Sequence, residues 1–346
     1  MPASTLIEIG GFPLKKIRIG LLGFGTVGKG VFQTIQTHQK TLTKTLGKPV
    51  EISKIVVENI DKHEDSVNKE ILTTNFQEIL NDPKINIVIE AIVGIEPAAT
   101  YLKKALQAGK HVITANKEMF AHHGKELKSL AEEADMKVGY EATTGGGIPI
   151  IQTINQLLQV NQIHKVSAIL NGTSNYILTE MRINGLSFYE ALTQAQKLGF
   201  AEADPTNDVE GWDSFYKLMI LSELLFAKQP DWNTVKRVGI DKITDARIND
   251  LQEKNQRMKL LATLEVMNGT LHAYVEPVIL SETHPLFAVE GVSNAIALET
   301  DLLGNLTLTG PGAGALPTAS AIIEDLCIIL KNKWISEFKS QTTVIS

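Results

Sequence analysis

The densest group of chemistry-bearing side chains lies in LGFAEADPTNDVEGWDSFYKL, residues 198–218. Glu202, Asp204, Asp208, Glu210 and Asp213 crowd together there, and Lys217 follows. Asp213 and Lys217 stand at i and i+4, so a helix presents them on one face. A solvated ion pair is the common outcome of that spacing. Trp212, Phe215, Leu218 and Leu221 share the segment and imply a largely packed helix. A Lys–Asp pair on such a helix, beside a cavity, can act as acid/base and orienter.

A second lysine, Lys117, closes AGKHVITANK just past a strand. Ligands of open parallel sheets bind beyond the carboxyl ends of strands. Position alone leaves three roles open for it: ribose ligand, proton-transfer group or solvated loop charge. NGTSNYIL at 171–178 puts Thr173 and Ser174 at a helix start, which is either a carboxylate-binding N-terminus or an ordinary cap. EATTGGGIP at 141–149 offers accessible carbonyls and the Glu141 carboxylate. Oxygen-rich loops of this kind hold hard cations, and glycine runs also serve as hinges. GPGAGALPTASAI at 310–322 is another glycine loop opening a helix, remote in sequence and able to return over a bound ring.

The glycine turn GFGTVG has a more specific context. Gly23, Gly25 and Gly28 sit between the apolar run IRIGLL and a segment with Val27, Val31 and Ile35 at helical spacing. In such a turn the first glycine permits the bend and the second lets backbone approach a pyrophosphate. The third allows close helix–strand packing, and the helix N-terminus supplies amides to the phosphates. After the second strand comes VVENIDKH. Glu58 there can accept from a ribose 2′-hydroxyl and would repel a 2′-phosphate, favouring NAD; Lys62 or His63 could instead receive that phosphate.

The elements that must position these groups follow a β/α rhythm. Strands are expected at 17–22, 50–57, 86–93, 111–114 and 136–140, with helices from Thr26 to about 39, after Pro97, and over 118–135. Strands alternating with helices mean a parallel sheet with right-handed crossovers. Beyond Pro149 the rhythm changes. Helices are expected at 150–159, 174–183, 187–198 and 209–228, a strand at 163–170, and alternating antiparallel patterns at 271–280 and 296–309. A final apolar-faced helix runs from Pro317 to about Asn332.

Composition narrows the function classes. The 346 residues suggest two domains, and 43% hydrophobic against 21% charged residues is a globular balance. A net charge of −6 argues against binding a phosphate backbone. A single cysteine, Cys327, makes no internal disulfide and fits a reducing cytoplasm. No apolar run nears the ~20 residues a bilayer requires. The N-terminal residues do not read as a secretory signal.

Taken in order, GFGTVG, IEAIVGIEPA, GKHVITANK, EATTGGGIPI, LNGTSNYIL, GFAEADPTNDVEGWD with Lys217, and GPGAGALPTASA resemble homoserine dehydrogenase from about residue 17 to 330. The resemblance implies an α/β fold: a Rossmann-type parallel-sheet domain over 1–145 and an α+β substrate-binding and dimerisation domain over 146–315 with a largely antiparallel sheet. A C-terminal helix at 316–346 would return to the first domain. It implies interconversion of L-homoserine and L-aspartate 4-semialdehyde with NAD or NADP, in threonine, methionine and isoleucine biosynthesis, by a homodimer. Cofactor contacts are then expected at Gly23, Phe24, Gly25, Thr26, Val27, Gly28, Glu58, Val93, Lys117 and Gly312. Lys217 looks like the main proton-transfer group, with Lys117 as the second lysine and Asp213 orienting Lys217. Glu202 would grip the substrate ammonium, with Asp208 and Thr173 also at the substrate. Glu141, Thr144, Gly146 and Ile148 match a monovalent-cation site, Na+ in the family.

Two departures stand out. Family members often carry a basic residue where this chain has Glu58, and Trp212 is unusual in the catalytic helix. About fifteen residues follow the last expected helix, which leads us to expect neither a C-terminal regulatory domain nor threonine feedback through one. A semialdehyde dehydrogenase forming an acyl phosphate needs a thiol nucleophile, and Cys327 in the apolar DLCIIL reads as core. A catalytically silent nucleotide-binding relative would not need Lys117, Glu202, Asp213 and Lys217 together.

Overall fold

The computed structural model describes residues 16–63 and 65–342, with side chains as far as Lys331. The N-terminal segment whose role and leader character the sequence raises, residues 1–15, lies outside the described residues. In chain order the first elements are β1 (Ile17–Leu22), α1 (Thr26–Thr37), α2 (Gln39–Leu46), β2 (Val50–Val56), β3 (Leu72–Thr73), α3 (Gln77–Leu80), β4 (Ile85–Glu90), α4 (Ala98–Gln107), β5 (His111–Thr114), α5 (Lys117–Glu133) and β6 (Val138–Gly139). Then come α6 (Ile150–Leu157), β7 (Ile163–Ile169), α7 (Gly172–Asn184), α8 (Phe188–Lys197), α9 (Thr206–Val209), α10 (Trp212–Phe226), β8 (Lys236–Arg237), α11 (Asp245–Glu253), β9 (Arg257–Met267), β10 (Thr270–Leu280), β11 (Ser293–Thr300), β12 (Asn305–Pro311) and α12 (Ala315–Thr342).

Two compact units result. The first holds residues up to Thr114, Glu126–Gly139 and the chain from Ile322 onward; the second holds Ala115–Lys125 and Tyr140–Ala321. Lys117, despite following β5, therefore packs with the second unit.

The first unit is built on a six-stranded sheet in the order β3-β2-β1-β4-β5-β6, with its strand pairs parallel. The central strands are apolar through their middles: Ile19, Leu21 and Leu22 of β1 and Ile87, Val88 and Ile89 of β4 are fully buried. A parallel strand covered on both faces needs such a continuous apolar run, which is why these strands were legible. Strand order reverses between β1 and β4, and Gly23 and Ala91 stand side by side just past their carboxyl ends, where doubly wound sheets bind ligands. The segment expected as a strand to residue 93 leaves the sheet at Glu90, so Val93 is a loop residue, 95% exposed.

The second unit carries the largely antiparallel sheet, ordered β12-β11-β7-β9-β10-β8, with only the short β8 parallel to its neighbour. Its centre includes β9, a strand absent from the sequence reading. Leu260, Leu261, Ala262 and Leu264 are all buried there, so the strand lacks the period-two alternation that marks β10. Asn268 and Gly269 both take positive φ, 51° and 75°, and close the β9–β10 hairpin as an Asn-Gly turn. The alternating segment at 296–309 is two strands, β11 and β12, folded back on each other before Gly304 (φ 75°). The helix expected over 209–228 begins only at Trp212. Gly211, at φ 83°, breaks it from α9, so the acidic segment and the lysine helix are separate elements.

Candidate active site

The Asp213–Lys217 pair lies in the first two turns of α10, and both side chains are buried. Lys217 Nζ donates to Asp213 Oδ2 at 2.8 Å and to the Leu170 carbonyl at 2.6 Å. Lys117 Nζ, from the start of α5, reaches the other carboxylate oxygen, Oδ1, at 3.0 Å. Asp213 is thus shared by two ammonium groups, with Lys117 on the open side: its side chain is 43% exposed against 9% for Lys217. A third donor comes from Asn171, the N-cap of α7. Its Oδ1 accepts from the Ser174 amide, while Nδ2 donates to Asp213 at 3.0 Å and to Asp208 at 2.6 Å.

Burial and charge push the two lysines apart. Burial lowers the proton affinity of Lys217 most, Asp213 raises it, the Lys117 charge lowers it again, and the net shift is downward. Lys117 is shifted upward, chiefly by Asp213, against a smaller burial effect. Burial works against ionising Asp213, and the charges of Lys117 and Lys217 with the Asn171 bond overcome it, holding the carboxyl well below the usual range. Asp208 moves upward, from burial and then from the Asp213 charge. One cluster therefore holds a lysine whose proton is bound less tightly than usual and a lysine whose proton is bound more tightly.

Sequence reasoning placed Lys117, Asp208, Asp213 and Lys217 among the candidates, and the structure brings these four together. It missed Asn171, which ties the two aspartates to α7. A strand-end asparagine immediately before a helix is a capping signal, and that was the available clue. Thr173 lies at the same helix start, but its hydroxyl donates to the Phe200 carbonyl at 2.6 Å, leaving its main-chain amide toward the open end of α7. That bond ties the loop carrying Glu202 to α7. Glu202 itself is exposed and makes no ion pair among the described residues.

The EATTGGGIP loop is almost wholly buried. Glu141 Oε1 accepts from the Ile151 amide at 2.8 Å and Oε2 from the Gln152 amide at 2.9 Å, so this carboxylate anchors the start of α6. Thr144 is fully buried, and a Cβ at Gly146 would lie 2.2 Å from the Gly312 carbonyl oxygen. The two glycine loops at 145–147 and 310–314 are packed backbone to backbone.

In the first unit the GFGTVG turn has the form that a dinucleotide requires. A Cβ at Gly28 would meet the Gly23 carbonyl oxygen at 2.3 Å, and one at Gly23 the Ala91 carbonyl oxygen at 2.6 Å, whereas Gly25 faces open space. Gly25 caps α1 with no side-chain bond, so the first-turn amides at Thr26 and Val27 receive no side-chain cap and lie at the open N-terminus of the helix. Phe24 is buried, with the His63 ring edge-on to it at 5.5 Å. Glu58 is exposed just beyond β2. Burial, then the charges of Lys29 and Lys62, lower the proton affinity of His63.

Residues 23–141 match the family described as homoserine dehydrogenase, NAD binding domain, and residues 149–327 match the family described as homoserine dehydrogenase. The chain belongs to the homoserine dehydrogenase family. Members are NAD(P)-dependent oxidoreductases acting on a CH–OH group, and the sequence resemblance stands. The homoserine dehydrogenase of Bacillus subtilis is 42% identical over 92% of this chain and 74% of its own length. A homoserine dehydrogenase structure from Thiobacillus denitrificans superposes with a TM-score of 0.87 at 38% identity, covering 91% of this chain and 73% of that one. A hyperthermophilic archaeal homoserine dehydrogenase in complex with NADPH gives 0.78 at 30% identity, covering 92% and 98%. The parallel and antiparallel sheets agree with the fold class expected for this family. No helix among the described residues is long and apolar enough to cross a membrane.

Proposed function

We propose that this homoserine dehydrogenase interconverts L-homoserine and L-aspartate 4-semialdehyde with Lys217 as the proton-transfer group and Lys117 as the cation that stays charged. The observation that carries the assignment is the Asp213 carboxylate shared between two lysines of opposite shift. In oxidation, neutral Lys217 takes the proton of the homoserine hydroxyl, and in reduction its ammonium returns a proton to the same oxygen. The fixed charge of Lys117 stabilises negative charge developing there. Asp213 orients both lysines. Glu202, exposed and without an ion pair among the described residues, is suited to the substrate ammonium, while the α7 amides with Thr173, and Asp208 alongside, bound the rest of the substrate.

The turn of Gly23, Phe24, Gly25, Thr26, Val27 and Gly28 would hold the pyrophosphate, with Glu58, Val93 and Gly312 as further contacts. When bound, the nicotinamide supplies or accepts the hydride. Glu58 favours NAD over NADP. Equal kcat/KM ratios for the two cofactors in wild type and Glu58→Ala would remove that residue from the argument. A monovalent cation, Na+, would be held by main-chain oxygens of Glu141, Thr144, Gly146 and Ile148, since the Glu141 carboxylate is already bonded to α6. It would brace the loop against its partner glycine loop. Activity and Tm unchanged between sodium and choline buffers would speak against it. The working form we expect is a cytoplasmic homodimer, which light scattering of the purified protein checks.

The test of the whole reading is reduction of NAD+ or NADP+ by homoserine, followed by absorbance, with Lys217→Ala beside the wild type. General acid–base catalysis contributes roughly 10²–10⁴-fold, and kcat should fall by about that much with cofactor binding retained. A variant as active as wild type would sink the assignment.

A further inference from the structure

Lys217 has two acceptors, and the second, the Leu170 carbonyl, is a main-chain group whose direction something must fix. Leu170 follows the last residue of β7. The β7–β11 ladder pairs Ile169 with Ala295, so the next residue of β11, Asn294, stands opposite Leu170. There the regular pairing ends and a side chain takes over: Asn294 Nδ2 donates to the Leu170 carbonyl at 2.8 Å. Asn294 is 1% exposed, and its Oδ1 takes no hydrogen bond from the described residues. A buried amide with an orphan acceptor weakens a fold, and an apolar side chain would fill the place better if packing were its only task. The amide is also clamped. A Cβ on Gly312 would lie 2.0 Å from the Asn294 side chain, so the backbone of the 310–314 loop presses directly against the amide.

We propose that Asn294 is a positioning residue for Lys217, holding the Leu170 carbonyl aimed at the ammonium and linking that aim to the Gly312 loop. The inference rests on the acid–base role assigned to Lys217. The charged groups facing Lys217 are Asp213 on its own helix, Lys117 from α5 and Asp208 from α9. Asn294 adds a neutral control from the sheet side. Without its donor the carbonyl is free to turn away, the ammonium loses an acceptor, and Lys217 gives up its proton more readily.

The experiment compares wild type, Asn294→Leu and Asn294→Asp in two readouts. One is the pH profile of kcat/KM for homoserine. The other is the NMR titration of the Lys217 side chain in lysine-labelled protein, assigned by the signal lost in Lys217→Ala. Asn294→Leu should lower the midpoint by roughly one pH unit, the size expected for one bond to a charged group. Asn294→Asp brings a negative charge to the other side of the Leu170 carbonyl from the ammonium and should raise it. Midpoints equal to wild type in both variants, with only Tm or kcat reduced, would mark Asn294 as structural and overturn the proposal. The NMR titration answers this even if wild type proves inactive on homoserine, which would count against the proposed function alone.

Discussion

Replacing Asp213 by Asn keeps the side-chain shape and removes the charge shared by two lysines. In wild type Nζ–Oδ distances of 2.8 and 3.0 Å place both ammonium groups in direct contact with the carboxylate, and Asp213 and Lys217 are both buried. Leaving a buried partner charge uncompensated costs about 3–5 kcal/mol. The exposed Lys117 side can rehydrate, so the penalty falls mainly on Lys217. Lys217 escapes it by losing its proton, and the same free energy corresponds to a pKa fall of roughly 2–4 units, at 1.36 kcal/mol per unit. The sign follows from proton counting. In the variant the folded lysine has a depressed pKa, so the unfolded chain binds more protons and stability rises with pH. Relative to wild type, Asp213→Asn should therefore lose roughly 10 °C in Tm near about pH 6 and much less near about pH 9. The homoserine-oxidation limb should move to lower pH while its plateau falls, because Lys117 and Lys217 lose their common anchor. Differential scanning calorimetry across pH and steady-state kinetics read the two effects. A Tm deficit independent of pH, with the kinetic limb unmoved, would refute the coupling.

Other outcomes follow from individual contacts. Gly25→Ala should leave Tm nearly unchanged, since nothing lies within 4 Å of the added carbon, yet weaken dinucleotide binding; Gly28→Ala, with backbone at 2.3 Å, should lower both, as calorimetry and cofactor titration would show. Lys259, buried on β9 and bonded to Asn175 and the Val289 carbonyl, has its proton affinity pushed down by burial to about 8. Between that value and the ordinary ~10.4 the wild type gains stability as pH rises, up to roughly 3 kcal/mol. Lys259→Met should abolish that alkaline rise in Tm. Glu141→Gln removes one of two carboxylate acceptors from the α6 amides and should cost about 1–2 kcal/mol of stability, measured by denaturant unfolding.

Local spacing alone sufficed for several features. The apolar runs of β1, β4 and β5, the glycine turn before α1 and the Asp213–Lys217 pair all depend on contacts within one element or one turn, where periods of 2.0 and 3.6 residues dictate which side chains meet. The same logic failed where an element is buried on all sides, as in β9, or where one glycine with positive φ splits a helix, as at Gly211.

What tertiary structure decided is which distant groups share the two lysines. Lys117 meets Asp213 from another helix, Asn171 reaches it from the cap of α7, and Asn294 bonds the Leu170 carbonyl, the second acceptor of Lys217, from 124 residues further along the chain. Those meetings depend on strand register and helix docking, which the packing of the whole second unit sets and no local period encodes. Residue types announced a lysine and a carboxylate able to exchange a proton. Burial in the assembled unit set which lysine holds its proton less tightly, because desolvation and neighbouring charge exist only once the chain has closed around them.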